Sequence, residues 1–468
     1  MRGGRATERV RVPQPVIKSR LPSGRGATEQ PNATSDGDAE LSMFFWALLV
    51  ATGVGAGLLG DLMMAILYNA EHLAYGYDIG SFFHTATSFE TAVERAPALR
   101  RVADLMIAGA FGGVAWYLLR KYTPGERSEL DDVIWHGGKL SARRSLGTGI
   151  ISEIVIGLGA SLGREQAPKL LGGVIGDVLA DRFKLTPAQR RLLVACGGGA
   201  GFAAVYNVPL GGALFTAEIL LGTVTLPVVL PALTCATVAT VTSYLYLPIQ
   251  VTYLNIPQYR LTWPLLVWSL LAGPVIGLLA VVYIRAIGWV SHHAVSGRWM
   301  MPAMFAAFTV LGLVGIAYPQ LFGNGKDMAH DAFVGGDGWV LLLVLFALKP
   351  IMTLLCLGSG ASGGLFTPVM STGAVLGGAI GILWSMAWPG SPAGAYAMVG
   401  AAAMLGAGMQ APLAGLALIL ELTNSGLQII VPLMLATITA TAVARHLDGY
   451  SIYSARLRAE PGAPPGAE

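Results

Sequence analysis

The sequence predicts an all-α protein that crosses a membrane many times, and three observations carry that prediction. Only 12% of its 468 residues are charged while 54% are hydrophobic, against a charged share of about 25% in soluble domains. The charges leave long gaps, with none at 192–217, 219–259 or 350–420. The 61 glycines and 26 prolines break the apolar stretches at matched places in two halves of the chain. A charge at bilayer depth costs about 2.5 to 3.5 kcal/mol on insertion scales, so the gaps reflect the solvent. A spanning helix takes about 20 apolar residues, and 350–420 has room for roughly three. A lipid-facing barrel would alternate polar and apolar residues in strands of about 10; that alternation is absent, so the spans are helices.

The same composition excludes an ordinary cytosolic enzyme, a disordered chain and a nucleic-acid binder. A net charge of +3 is too small to act as a field for phosphates. The glycines follow no collagen period.

In chain order, residues 1–42 read as a flexible tail. Its basic residues Arg2, Arg5, Arg9, Arg11, Lys18, Arg20 and Arg25 favour the cytoplasm by the positive-inside rule, which makes the sequon at Asn32 a chance match. The tail has no apolar core of the kind a cleavable signal peptide needs. Residues 43–458 form the transmembrane domain, with repeats at about 43–250 and 261–458, and 459–468 form a cytoplasmic C-terminal tail. Cys196, Cys235 and Cys356 lie in apolar stretches and read as buried free thiols, with no disulfide or metal spacing.

Gly-Ala-Ser at 159–161 recurs at 360–362, and Asn-Val-Pro-Leu-Gly-Gly at 207–212 recurs as Gln-Ala-Pro-Leu-Ala-Gly at 410–415. Each second motif is followed by a glutamate nine residues after its proline, Glu218 and Glu421. The chain is thus an internal duplication. The breaks at 163–168, 207–209, 363–368 and 410–412 predict half-helices meeting at a site, since irregular backbone at membrane depth is tolerated only inside protein or along a cavity.

At the same offset, Glu165 in Gly-Arg-Glu-Gln-Ala-Pro (163–168) corresponds to Phe366 in Gly-Leu-Phe-Thr-Pro (364–368). Each motif opens an apolar helix, with proline tolerated in its first turn and glycine letting the backbone approach a ligand. Two helix starts present free N–H groups and the positive dipole end to an anion without a full charge. Weak, shared binding suits permeation. A carboxylate at such a place occupies the ion's position when ionised and vacates it when protonated, making Glu165 a pH-sensitive gate or a proton carrier. The bland alternative pairs Glu165 with Arg164, or with Lys169 one turn on.

These motifs resemble the CLC family of chloride channels and proton/chloride antiporters over about residues 43–458. The resemblance implies an inverted-repeat helical fold with broken and re-entrant helices, working as a homodimer with one pore per subunit. It places the external gating glutamate on Glu165 and the G-x-F-x-P filter motif on 364–368, whose N–H groups at Leu365 and Phe366 hold the ion. Gly449-Tyr450-Ser451-Ile452-Tyr453-Ser454 puts the filter tyrosine at Tyr453. Gly163 and Arg164 belong to the same anion site. The chain ends soon after Tyr453, without the CBS pair of many relatives. The proline of the glutamate motif stands one place later than in G-R-E-G-P. The G-S-G-I-P filter motif is missing, and its best match at 124–128 puts Gly125 where a serine hydroxyl touches the anion. The internal proton-transfer glutamate of antiporters is replaced by Ile219, as in channel members.

The expectation is therefore a voltage- or pH-gated anion channel in the bilayer, multi-pass, in a bacterial inner membrane, with proton/chloride antiport as the alternative. Chloride or other small anions and protons are its partners, and no cofactor or metal is expected. Lys169 opposes the dipole at its helix start, so it either pairs with Glu165 or adds positive potential to the anion path. A remote alternative, an intramembrane serine protease, rests on Gly-Ala-Ser-Gly at 360–363 with Ser362 as nucleophile and His446 as the one later histidine; the twin Gly-Ala-Ser at 159 has no such use. His72, His84, His136, His292, His293 and His330 show no metal spacing. Asp61 and Asp104 read as helix caps or partners of interior polar groups.

Overall fold

With no water at bilayer depth, each apolar run must close its own backbone hydrogen bonds, and helices do so. The computed structural model describes residues 41–75, 88–127 and 129–457, and among these the regular structure is helical. The first half comprises α1 (Met43–Tyr75), α2 (Phe89–Arg95), α3 (Ala98–Tyr122), α4 (Leu130–His136), α5 (Ala142–Gly157), α6 (Gln166–Arg182), α7 (Pro187–Tyr206), α8 (Pro209–Leu214) and α9 (Leu226–Ser243). A π-helical turn, Phe215–Leu220, prolongs α8. The second half comprises α10 (Trp263–His292), α11 (Met300–Val314), α12 (Lys326–Val334), α13 (Trp339–Gly358), α14 (Phe366–Ala387), α15 (Ala393–Met409), α16 (Pro412–Thr423) and α17 (Ile430–Leu447). Residues 1–40 and 458–468, with the basic tail, the Asn32 sequon and the C-terminal tail, lie outside the described residues, as do His84 and Ser128.

Eight helical stretches among the described residues are long and apolar enough to cross a membrane. Seven of them bury between 33% and 50% of their most apolar window, while α14 buries 83%. The seven therefore face lipid on one side, as Leu270, Leu271, Val275, Leu278 and Val282 of α10 do, and α14 is central. The shorter α15 is buried from Gly394 to Met409, and α6 and α7 are buried over most of their lengths.

Small residues let these central helices touch. A Cβ on Gly176 of α6 would stand 2.6 Å from the Leu193 carbonyl oxygen of α7, and one on Gly172 would strike the Gly197 carbonyl. The second half repeats this crossing: a Cβ on Gly377 of α14 would lie 2.5 Å from the Tyr396 oxygen of α15, and one on Gly400 would lie 2.5 Å from the Gly373 oxygen. Lipid tails are as apolar as leucine, so close van der Waals contact between small residues holds such helices together.

The predicted breaks are real chain reversals. Asn207 ends α7 in the left-handed region at φ 56° and ψ 50°, and Gln410 ends α15 at φ 56° and ψ 33°. Proline then opens the next helix in each half, Pro209 in α8 and Pro412 in α16. The orphan N–H groups of these two short helices are satisfied across the repeat. Glu421 of α16 accepts from Leu210 N–H at 3.0 Å and Gly211 N–H at 2.5 Å. Glu218 accepts from Leu413 N–H at 3.3 Å and Ala414 N–H at 2.8 Å. Each half's glutamate caps the other half's helix, which explains the conserved spacing between Pro and Glu in the two copies.

Asp104 faces Arg100 of its own helix at 3.7 Å, a half-exposed side chain and not an interior partner, and its Oδ2 is buried without a hydrogen bond. Asp61 caps nothing: it lies in mid-α1 with a buried Oδ1 that has no hydrogen-bond partner. The three cysteines are buried and free.

The cross-repeat caps carry a measurable share of stability. An unsatisfied buried donor costs about 1–3 kcal/mol, so Glu421→Ala is expected to lower the unfolding midpoint in detergent and Glu421→Gln to lower it less. Scanning fluorimetry reads both, and an unchanged midpoint in Glu421→Ala would contradict the cap.

Candidate functional site

The site is where α6 and α14 begin. Gly163 and Gly364, equivalent residues of the two halves, meet as an antiparallel bridge. The N–H of each donates to the carbonyl of the other, both at 2.7 Å. A local two-fold relation thus passes between them, and the two helix starts come together. Glu165, at the N-cap position of α6 and 2% exposed, turns its carboxylate to the opposite helix. Its Oε1 accepts the Phe366 N–H at 2.8 Å, which makes the repeat-equivalent pair a bonded pair.

The carboxylate takes the position that the free N–H groups and dipole end of α14 favour for an anion. Both bridge glycines are needed to admit it: a Cβ on Gly364 or on Gly163 would overlap its oxygens. Tyr206 of α7 donates its hydroxyl to Oε2 at 3.3 Å and lies 2.8 Å from Thr367 Oγ1. Neither Tyr206 nor Thr367 is legible as a site residue in the sequence, because each becomes one only when α7 and α14 converge. Phe202, Tyr206, Phe215 and Phe366 enclose the place, with Phe202 edge-on to Phe366 at 5.0 Å and stacked on Phe215 at 5.1 Å.

One side of Glu165 opens on a cavity lined by Glu129, Leu130, Asp131, Gln166, Lys169, Gly364, Leu365, Tyr453 and Arg456, among others. Of the residues predicted from sequence, Glu165, Lys169, Gly364, Leu365 and Tyr453 therefore share one space. Arg164 does not. Its guanidinium lies 3.3 Å from the Tyr68 hydroxyl and 5.0 Å from the centre of the Tyr206 ring. Ile219 is buried in the π turn after α8, off the cavity.

Gly125, and one of the two alternatives for Lys169, do not match this geometry. Gly125 does not line the cavity: it sits in a turn at φ 71° with open space around it. The physical reason is where the helix starts, for α4 begins at Leu130 with Glu129 at its N-cap. The described residues of this segment that reach the cavity are thus Glu129, Leu130 and Asp131. Lys169, for its part, pairs with neither oxygen of Glu165. Its Nζ lies 2.9 Å from Asp131 Oδ2 and 4.5 Å from the centre of the Tyr453 ring. Asp131 was invisible as a site residue because its partner is 38 residues away in sequence.

Ser362 serves the framework. Its hydroxyl accepts the Gln166 amide at 2.8 Å and its carbonyl accepts the Ser152 hydroxyl at 2.8 Å. His446 is exposed in the last turn of α17, and among the described residues no hydrogen bond joins it to Ser362. Among the described residues, no histidine is hydrogen-bonded to the Ser362 hydroxyl. No group of three or more His, Cys, Asp or Glu side chains among the described residues could hold a metal ion.

Comparisons with known proteins bear on the family and the fold. A family model described as voltage gated chloride channel matches residues 111–445. A putative chloride channel protein described as ClcB-like, from Ralstonia nicotianae, is 32% identical over 384 residues, covering 78% of this chain and 88% of that protein. Among solved structures, a slow cyanobacterial chloride/proton antiporter superposes with a TM-score of 0.76 at 22% identity, covering 88% of this chain and 97% of that one. A fluoride/proton antiporter of the CLC type superposes at 0.68 with 21% identity, covering 89% and 99% of the two chains. At these identities the two structures speak to the fold.

The seating of Glu165 gives a direct test. Gly364→Ala fills the space its carboxylate occupies, so a density map of that variant is expected to show Glu165 turned away from the Phe366 N–H. A carboxylate still bonded there would refute the account of the glycine.

Proposed function

The chain belongs to the voltage gated chloride channel (CLC) family, and from that premise we propose that it moves chloride or a similar small anion across the membrane along a path gated by Glu165. The observation that carries the proposal is the Glu165 carboxylate on the Phe366 N–H at 2.8 Å, between two helix starts. A negative group held by backbone donors and helix dipoles is a tethered copy of the ion those donors suit. While ionised it blocks the path; protonation removes the charge that seats it, and the anion takes its place. Phe366, Leu365, Gly364 and Gly163 then supply the backbone of the site and Tyr453 its far wall, with Arg164 holding Tyr206 in position from the other side.

A second reading, proton-coupled antiport, has its own support. The buried Glu165 that meets the anion site is a group able to carry a proton, and two of the superposed structures are antiporters. Ile219, in place of the family's internal proton glutamate, favours uncoupled flow. Simultaneous recording of chloride and pH in proteoliposomes separates the two: a chloride gradient that drives protons uphill means antiport, and Glu165-dependent chloride flux without it means a channel. The reading also includes a homodimer with a pathway in each subunit, a bacterial inner-membrane location, and cytoplasmic tails at 1–42 and 459–468.

The sign of the pH effect follows from the charge. Protons neutralise Glu165, so flux is expected to rise as pH falls. Glu165→Gln cannot be ionised, and its flux is expected to be high and flat across the same range. A full pH response in Glu165→Gln would remove the gate assignment.

A further inference from the structure

Lys169 and Asp131 form a second charged station in the cavity beside Glu165. Their side chains are 8% and 17% exposed, so this is no surface ion pair. The ammonium lies over two aromatic rings, Tyr453 at 4.5 Å and Phe215 at 5.8 Å. Glu165 and Leu365 line the same cavity.

The fold does not require a charge at this position. The residue equivalent to Lys169 in the second half is Met370, buried in the first turns of α14. The same helical place is thus filled by an apolar side chain of similar length. A cation here also opposes the dipole of its own helix, so it needs a negative partner, and Asp131 supplies one.

Asp131 is less fully engaged than the structural carboxylates of this protein. Asp177 uses both oxygens, Oδ1 taking the Arg190 Nε at 2.7 Å and Oδ2 the Leu140 N–H at 2.9 Å. Glu218 and Glu421 likewise engage both. Asp131 engages Oδ2 alone, and its buried Oδ1 has no hydrogen-bond partner.

Resting on the anion-transport reading above, we propose that the Lys169 ammonium binds the transported anion and that the Asp131 carboxylate is its tethered competitor, displaced when the anion enters. Two carboxylates then stand in series on the path, each in an anion's place: Glu165 on a backbone donor and Asp131 on an ammonium. An unshielded ammonium in a cavity would hold an anion too well for release. Asp131 weakens it by competition, with Glu129 and Arg456 of the same lining as the remaining charges. Small monovalent anions fit this station, since its two cations, Lys169 and Arg456, already stand beside three carboxylates, Glu129, Asp131 and Glu165.

The test measures chloride binding by titration calorimetry on the purified protein and chloride flux in proteoliposomes. Asp131→Asn, close in shape, is expected to bind chloride about tenfold tighter, about 1.4 kcal/mol, with a lower maximal flux. Lys169→Met, which copies Met370, is expected to bind about tenfold more weakly. The double variant Lys169→Met with Asp131→Asn removes both members of the pair together, so neither is left as an unpaired charge, and it is expected to fold like the wild type and bind as weakly as Lys169→Met. Chloride affinity unchanged within twofold in both Asp131→Asn and the double variant would overturn the proposal. So would weaker binding in Asp131→Asn, which would make the aspartate a prop for Lys169. If those results came with flux that still depended on Glu165, the transport reading would stand and only this inference would fall. No chloride flux in either wild type or Glu165→Gln would bring down both.

Discussion

Everything at the centre of this protein depends on the contact between Gly163 and Gly364. Two backbone hydrogen bonds at 2.7 Å join equivalent residues of the two halves. From that contact α6 and α14 set out, so their starts are neighbours by construction. A helix start leaves N–H groups unpaired, and at membrane depth water cannot serve them. The molecule supplies a carboxylate from one half to a donor of the other, and in doing so builds a place that suits a small anion. Glycine at both positions is what lets the Glu165 carboxylate come that close to the backbone.

The same device recurs where no ion is needed. Glu218 and Glu421 cap the short helices α16 and α8 across the repeat, each with both oxygens. A carboxylate with both oxygens engaged is expensive to move, since displacement strands two donors. Glu165 also engages both oxygens, but only Oε1 takes a backbone donor, while Oε2 takes the side-chain hydroxyls of Tyr206 at 3.3 Å and Thr367 at 3.5 Å. Displacing Glu218 or Glu421 strands two backbone donors, and displacing Glu165 strands one.

The surrounding helices make this arrangement rigid. Glycine crossings between α6 and α7 recur between α14 and α15, and they bring Tyr206 and Thr367 within hydrogen-bond reach of each other and of Glu165. The lipid-facing helices carry apolar side chains outward, so the few buried charges collect at the interior. Arg164, Glu165 and Lys169 are buried there, and Glu153, Asp177 and Lys349 are among the charged residues buried elsewhere in the described residues.

Much was legible along the chain because the bilayer is a strict solvent. Scarce charge and long apolar runs dictate spanning helices, since no other backbone is satisfied there. The repeated Gly-Ala-Ser and Pro-to-Glu spacings dictate a duplication, and glycine and proline mark where helices stop and start, because few other residues tolerate those turns. Glu165 and Phe366 could be paired from the offset alone. What the sequence could not determine is which side chains of distant segments meet. Tyr206 and Thr367 come to Glu165 only through the crossing of α7 and α14. Lys169 meets Asp131, 38 residues earlier, in place of Glu165 one turn away. Gly125 falls outside the site because α4 starts at Leu130, a boundary that depends on packing. Local rules fix backbone breaks, since sterics and hydrogen bonding act over a few residues. The partner of a buried charge is decided by the tertiary fold, because desolvation makes each charge take the best counter-charge within reach, wherever the chain has brought it.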